Sequence, residues 1–115
     1  MQRIPVVIFN NVLLTTAVAG ATYAAAAAAL VTISAATLNN TTGAVRTATV
    51  HIVPSGGAAS AANQLGIVSL PASPAAPTVC GFLIGHTIPP GGSLQALSDA
   101  GAAVAIFVSG YQTTL

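Results

Sequence analysis

Few side chains in this sequence are equipped for chemistry: His51, His86, Asp99, Cys80 and a scatter of serines. A histidine, an acid and a serine are the parts of a hydrolase triad. That triad needs a buried acid to orient the imidazole and a nucleophile held on a strained turn. No Gly-x-Ser-x-Gly run occurs, and the one acid lies in Ser98-Asp99-Ala100-Gly101, where an aspartate is expected to close a turn and face water. Cys80, His51, His86 and Asp99 also lack the close spacing of a structural zinc site. The reading is therefore of a chain that is not an enzyme, with no catalytic residue, no metal ligand and no cofactor. The lone Cys80 excludes an intrachain disulfide and reads as a small buried hydrophobe. His51, alternating with threonines, is expected to face solvent or a subunit contact, and at such a contact either it or His86 would make assembly sensitive to pH. His86, following Gly85, reads as a loop residue.

Ionised groups are scarcer still. Of 115 residues, 3% are charged, and Arg3, Arg46 and Asp99 account for all of them, with a net charge of +1. Ordinary globular chains carry roughly 25%. Two arginines cannot neutralise the several phosphates that nucleic-acid binding requires, so that partner class is excluded. With 54% hydrophobic residues, the surface lacks the hydrated groups that oppose association. It needs a cover, either lipid or other protein chains. Arg46 opens a strand, and two readings stand for it: a pair with Asp99 of the same or a neighbouring subunit, or a solvated strand end.

The elements that position these residues are best seen in residues 46–57, RTATVHIVPSGG. Ala48, Val50 and Ile52 alternate with Thr47, Thr49 and His51, the period-two pattern of a strand buried on one face. Pro54-Ser55-Gly56-Gly57 ends it. Before it, Val31 and Ile33 alternate with Thr32 and Ser34, and Asn39-Asn40-Thr41-Thr42-Gly43 is a polar turn, so these two strands are expected to form an antiparallel hairpin. Residues 58–65 read as a loop or a single helical turn. Residues 66–70, 78–84 and 93–97 are strand candidates, with prolines at 71, 74, 77, 89 and 90 between them. The last strand alternates Val104, Ile106 and Val108 with Ala105, Phe107 and Ser109. Short strands without helical periodicity between them predict an all-β chain, an antiparallel β-sandwich of jelly-roll type.

Residues 1–17 carry two apolar bursts split by Asn10-Asn11, a turn signal. They are expected to form an extended N-terminal arm or an edge hairpin, with residues 18–115 as the sandwich domain. The alanine run at 24–29 inside an uncharged stretch raises two alternatives: a membrane-anchoring helix over residues 17–36, and a secretory signal cleaved at Ala17-Val18-Ala19. Alanine contributes little to insertion and no cationic cluster flanks the stretch, which weighs against the first. Pro5, Asn10 and Asn11 interrupt the apolar core that the second requires.

Thr47 to Gly57 (TATVHIVPSGG), the loop beginning AAS, the Pro89-Pro90-Gly91-Gly92 turn before SLQALSDAG and the closing strand ending VSGYQ resemble small β-sandwich proteins of tailed bacteriophage virions. In those proteins a TVxLVPSGG-like strand and turn is followed by an apolar strand, a proline- and glycine-containing turn, and a strand containing AxVxVSG. The resemblance implies a structural role on the particle, as capsid decoration, cement or minor capsid protein, or as a tail-associated or receptor-binding subunit. It implies virion proteins as partners, self-association with trimers among the options, and no membrane. The N-terminal segment is more apolar than that pattern, so Ile4, Val6, Val7, Ile8, Phe9, Val12, Leu13 and Leu14, with Arg46, are the expected subunit-interface residues. An exposed apolar strand of this kind is suited to strand addition to a neighbour.

Overall fold

The computed structural model describes residues 3–17, 21–73 and 77–114. Nine strands form: β1 (Arg3–Leu13), β2 (Ala21–Ala24), β3 (Ala29–Asn40), β4 (Arg46–Val53), β5 (Gln64–Leu70), β6 (Thr78–Val79), β7 (Thr87–Ile88), β8 (Ser93–Ser98) and β9 (Val104–Thr114). They make two antiparallel sheets. The first runs β1-β9-β3-β6, with β7 also on β3, and the second runs β2-β8-β4-β5. Of the connections between consecutive strands, only β4 to β5 and β6 to β7 stay within a sheet; the others cross from one sheet to the other. This is jelly-roll connectivity, and the chain is an all-β sandwich as its alternating patterns predict.

The crossing between β3 and β4 corrects one expectation. These strands do not form a hairpin: β3 pairs with β9, β6 and β7, while β4 pairs with β5 and β8. Asn40 accounts for the difference. Its buried side chain donates through Nδ2 to the carbonyls of Ala44 (2.7 Å) and Pro71 (3.0 Å), and its Oδ1 accepts from the amide and the hydroxyl of Thr42 (2.9 and 2.8 Å). A carbonyl of the crossing, Ala44, and one just past β5, Pro71, are thereby satisfied. What reads locally as a hairpin turn is a hydrogen-bonded passage between layers.

Both faces of the interior are apolar. Val31, Ile33, Ala36, Leu38, Val104, Ile106 and Val108 from the first sheet meet Ala48, Val50, Leu94 and Ala96 from the second. Burial in β3 changes phase at Ser34-Ala35, where a bulge shifts its register against β9. The extra residue keeps Val31 and Ile33 on one side of the break, and Ala36 and Leu38 on the other, pointing inward.

The expected arm is extended, and it lies against β9 as the edge strand of the first sheet, from Arg3 opposite Thr113 to Leu13 opposite Ala105. Asn10-Asn11 makes no hairpin. Asn11 takes a left-handed conformation (φ 55°) within a run of two bulges, between Val7 and Phe9 and between Phe9 and Val12. Asparagine tolerates that conformation better than branched residues do. The bulges turn both Ile8 and Phe9 into the core. The boundary expected between residues 17 and 18 and most of the weighed cleavage site Ala17-Val18-Ala19 fall at residues 18–20, outside the described residues.

The alanine run is neither strand nor helix through most of its length. Residues 25–28 turn the chain from β2 into β3, held by Ala25 N–H to Gly92 O (2.9 Å) and Gly91 N–H to Ala26 O (3.1 Å). Among the described residues no helix is long and apolar enough to cross a membrane. The strand candidate at 78–84 is shorter than expected, since residues 81–85 are turn and only Thr78–Val79 joins β3. The loop at 58–65 holds one 3₁₀ turn, Ala61–Asn63.

Candidate interaction face

The chemistry-bearing side chains lie apart. His51 lies opposite Gln95 of β8 and Gln64 of β5, whereas Asp99 lies beyond the end of β8, its amide bonded to Thr47 O (3.1 Å) and its carboxylate accepting from Thr47 N–H (3.3 Å). His86 is exposed in the loop before β7. Cys80 is buried, and burial pushes its thiol up from the ordinary value, partly offset by a backbone hydrogen bond at Leu83. Such a thiol is a poor nucleophile. Among the described residues no three His, Cys, Asp or Glu side chains gather as a metal site.

One titratable residue departs from its sequence reading. His51 does lie on the side of β4 opposite Val50, but it is buried there. The loop after β4 covers it: its Nδ1 lies 3.1 Å from Asn63 Oδ1. Asn63 donates to Ala58 O (2.9 Å) and accepts from Ser60 N–H (2.9 Å), so its oxygen faces the ring and His51 Nδ1 is the donor. Arg46 makes its described contact within its own chain. Half-buried, it donates through Nε to Thr42 Oγ1 (3.3 Å), which ties it to the β3–β4 crossing.

The arrangement that stands out is a surface. Residues opposite each other in a ladder point to the same side. With Ile33, Leu38 and Val108 inward, the outer side of the first sheet carries five rows: Leu13, Ala105 and Asn39; Phe107, Thr37 and Val79; Val7, Ser109 and Ala35; Pro5, Tyr111 and Thr32; Arg3, Thr113 and Leu30. Val7 and Val79 are 64% and 65% exposed and Phe107 is 39% exposed. The face bears a single charge, at its corner, where the Arg3 guanidinium lies 4.2 Å from the Tyr111 ring centroid, a cation–π contact. Between the bulges of β1 and β3 the sheet opens into a shallow groove of about 250 Å³ lined by Pro5, Val6, Val7, Ser34, Ser109, Gly110 and Tyr111.

The interface residues expected from sequence divide on this frame. Val7 and Leu13 project from the outer face and Ile4 is exposed at the strand's start. Val6 and Val12 are half-buried and pack on the core. Ile8, Phe9 and Leu14 are buried in the chain's own interior, so the structure removes them from any subunit contact. Phe107, Val79 and Tyr111 belong to the face and were missed. The signal was present for Phe107, a large apolar residue on the polar side of an otherwise clean alternation.

Comparison with protein-family models, with curated proteins and with solved structures gave no match.

Proposed function

We propose that this chain is a non-enzymatic structural subunit of a tailed-phage virion, a capsid decoration, cement or minor capsid protein that holds neighbouring subunits through neutral, apolar contacts. The observation that carries this reading is the outer face of the first sheet, a broad surface with a single charge at its corner and with Val7, Phe107 and Val79 open to solvent. Exposed apolar patches of this kind mark protein or membrane contact sites. Jelly rolls recur in viral capsid domains among others, which adds support by analogy of fold, as do the TATVHIVPSGG and VSGYQ segments.

Face contacts serve this role better than strand addition does. β1 is an edge strand, but it holds Pro5 and two bulges, features that interrupt a ladder and blunt an edge. Attachment through such a face is insensitive to salt, because few charges take part. The test is mass spectrometry of density-banded virions from the source lysate, washed at about 1 M salt, where the Debye length is roughly 3 Å. The chain is expected at a fixed ratio to the major capsid protein before and after the wash. Its absence from particles, or its release by salt, overturns the proposal.

A further inference from the structure

The apolar face holds both halves of a contact. Phe107 projects from β9 as a knob, and the groove opens on the same face of the same strand only two to four residues further along, at Ser109, Gly110 and Tyr111. A two-fold axis makes any surface meet itself, with residue i against j and j against i. We infer that the occupant of this face is a second copy of the chain, stacked sheet on sheet with the two β9 strands antiparallel, so that each Phe107 enters the other copy's groove beside Tyr111. The inference deepens the structural-subunit reading and rests on it for the setting in which the pair is used.

Three observations favour a second copy over another partner. An apolar face buries best against a surface with little unpaired charge, and this face, whose one charge is Arg3 at its corner, presents one. The axis crosses β9 near Ser109, and Arg3 pairs with Thr113 at one end of the sheet while Leu13 pairs with Ala105 at the other. The two Arg3 cations therefore lie at opposite ends of the contact, each toward the other copy's Leu13. Size also suffices. The molecule measures 45 × 26 × 19 Å, so a broad side offers on the order of 1,000 Å², against the roughly 800 Å² per partner that a specific interface buries. An aromatic ring beside Tyr111 adds an offset or edge-to-face contact to that burial.

Sedimentation equilibrium of the purified full chain, across roughly micromolar to 100-micromolar concentrations, tests it. The wild type is expected to be dimeric. Phe107→Ser, which removes the knob, and Ser109→Leu, which fills the groove, are each expected to raise the dissociation constant about tenfold or more. Ile67→Ser, at an apolar position of the second sheet that is more exposed than Phe107 (60% against 39%), is expected to leave it unchanged. A mixture of Phe107→Cys and Tyr111→Cys chains, treated with a short thiol cross-linker matched to the roughly 10 Å between stacked sheets, is expected to join one of each. Either variant alone is expected not to join, since buried Cys80 stays silent. A monomeric wild type, an Ile67→Ser chain as weak as Phe107→Ser, or cross-linking no better in the mixture than alone overturns the inference. Each of these leaves the particle-bound role to the virion measurement, so the two fail separately.

Discussion

The two sheets share one nearly chargeless composition and handle their outer sides differently. On the second sheet, Thr47, Thr49, Ser69, Gln95 and Ser93 occupy outward positions, and the chain's own loop covers His51 through Asn63. Ile67 is its large apolar exposure. On the first sheet, Val7, Leu13, Phe107 and Val79 stand outward with no segment described above them. Both faces mix types, with Asn39, Thr37 and Ser109 outward on the first and Leu97 opposite Thr49 on the second, and the difference is that large apolar exposure gathers on the first. Hydroxyls and amides let a sheet face meet water, and a valine, leucine or phenylalanine in the same positions leaves a face that another surface must complete.

The sharpest way to break this contrast is to disturb the sheets themselves. Gly110 of β9 lies opposite Ile33, and a Cβ there would collide with the Thr32 carbonyl. Backbone cannot step aside as a side chain can, so Gly110→Ala is expected to cost upwards of about 3 kcal/mol in urea unfolding. Its counterpart in the second sheet is Gly66, whose added Cβ would meet the Phe82 ring at 2.9 Å. That ring is half-buried and can yield, so Gly66→Ala is expected to cost about 1 kcal/mol. Equal losses would mean that the tight packing of the first sheet has no special role.

Asn40 joins the two sheets, and its replacement separates their fates. Asn40→Ala strips partners from Ala44 O, Pro71 O and Thr42, with an expected loss of about 2 kcal/mol. Hydrogen exchange should rise first in residues 41–45 and at the end of β5. A uniform rise across both sheets would contradict this local role.

Asn63→Ala turns the second sheet into a likeness of the first by lifting the loop from His51. The expected cost is about 1 kcal/mol, with faster exchange in residues 54–63 and no change in β1 or β9. The smallest effect is a pH dependence. Cys80 has its folded thiol value raised above the ordinary 9.0, so its contribution to stability is intact below that pH and is lost as pH rises through the folded value. Urea midpoints at about pH 8 and pH 10 should therefore differ slightly more for the wild type than for Cys80→Ala, whose position cannot ionise.

Local pattern went far in this chain wherever a strand has one wet side and one dry side. The alternations through Val50 and Ile106 placed β4 and β9 and their inward residues, because a period of two is a property of the pleat itself. Asn39-Asn40-Thr41-Thr42-Gly43 misled for a physical reason. A polar turn looks the same whether the next strand pairs with the last or crosses to the facing sheet, and Asn40's distant partner at Pro71 decides between them. His51 likewise sits on the expected side of its strand. Its burial comes from Asn63, twelve residues on, beyond any period-two argument. In β1 the bulges at Val7, Phe9 and Val12 overrode alternation and drew Ile8 and Phe9 inward together. The interaction face was half legible. Val7 and Leu13 came from the apolar bursts, whereas Val79 needed its neighbour Thr37, and the groove exists only where two bulges from distant strands meet.

One pairing bears on how the molecule comes into being. β1, the earliest strand described, has as its neighbour β9, the latest strand described. During synthesis Ile8 and Phe9 emerge with no ladder to join, and the edge they will close stays unbuilt until residues 104–114 appear. Closure is therefore a late step, set by the long sequence separation between β1 and β9. Deleting Val104–Thr114 would leave two strands, β1 and β3, without the one that lies between them.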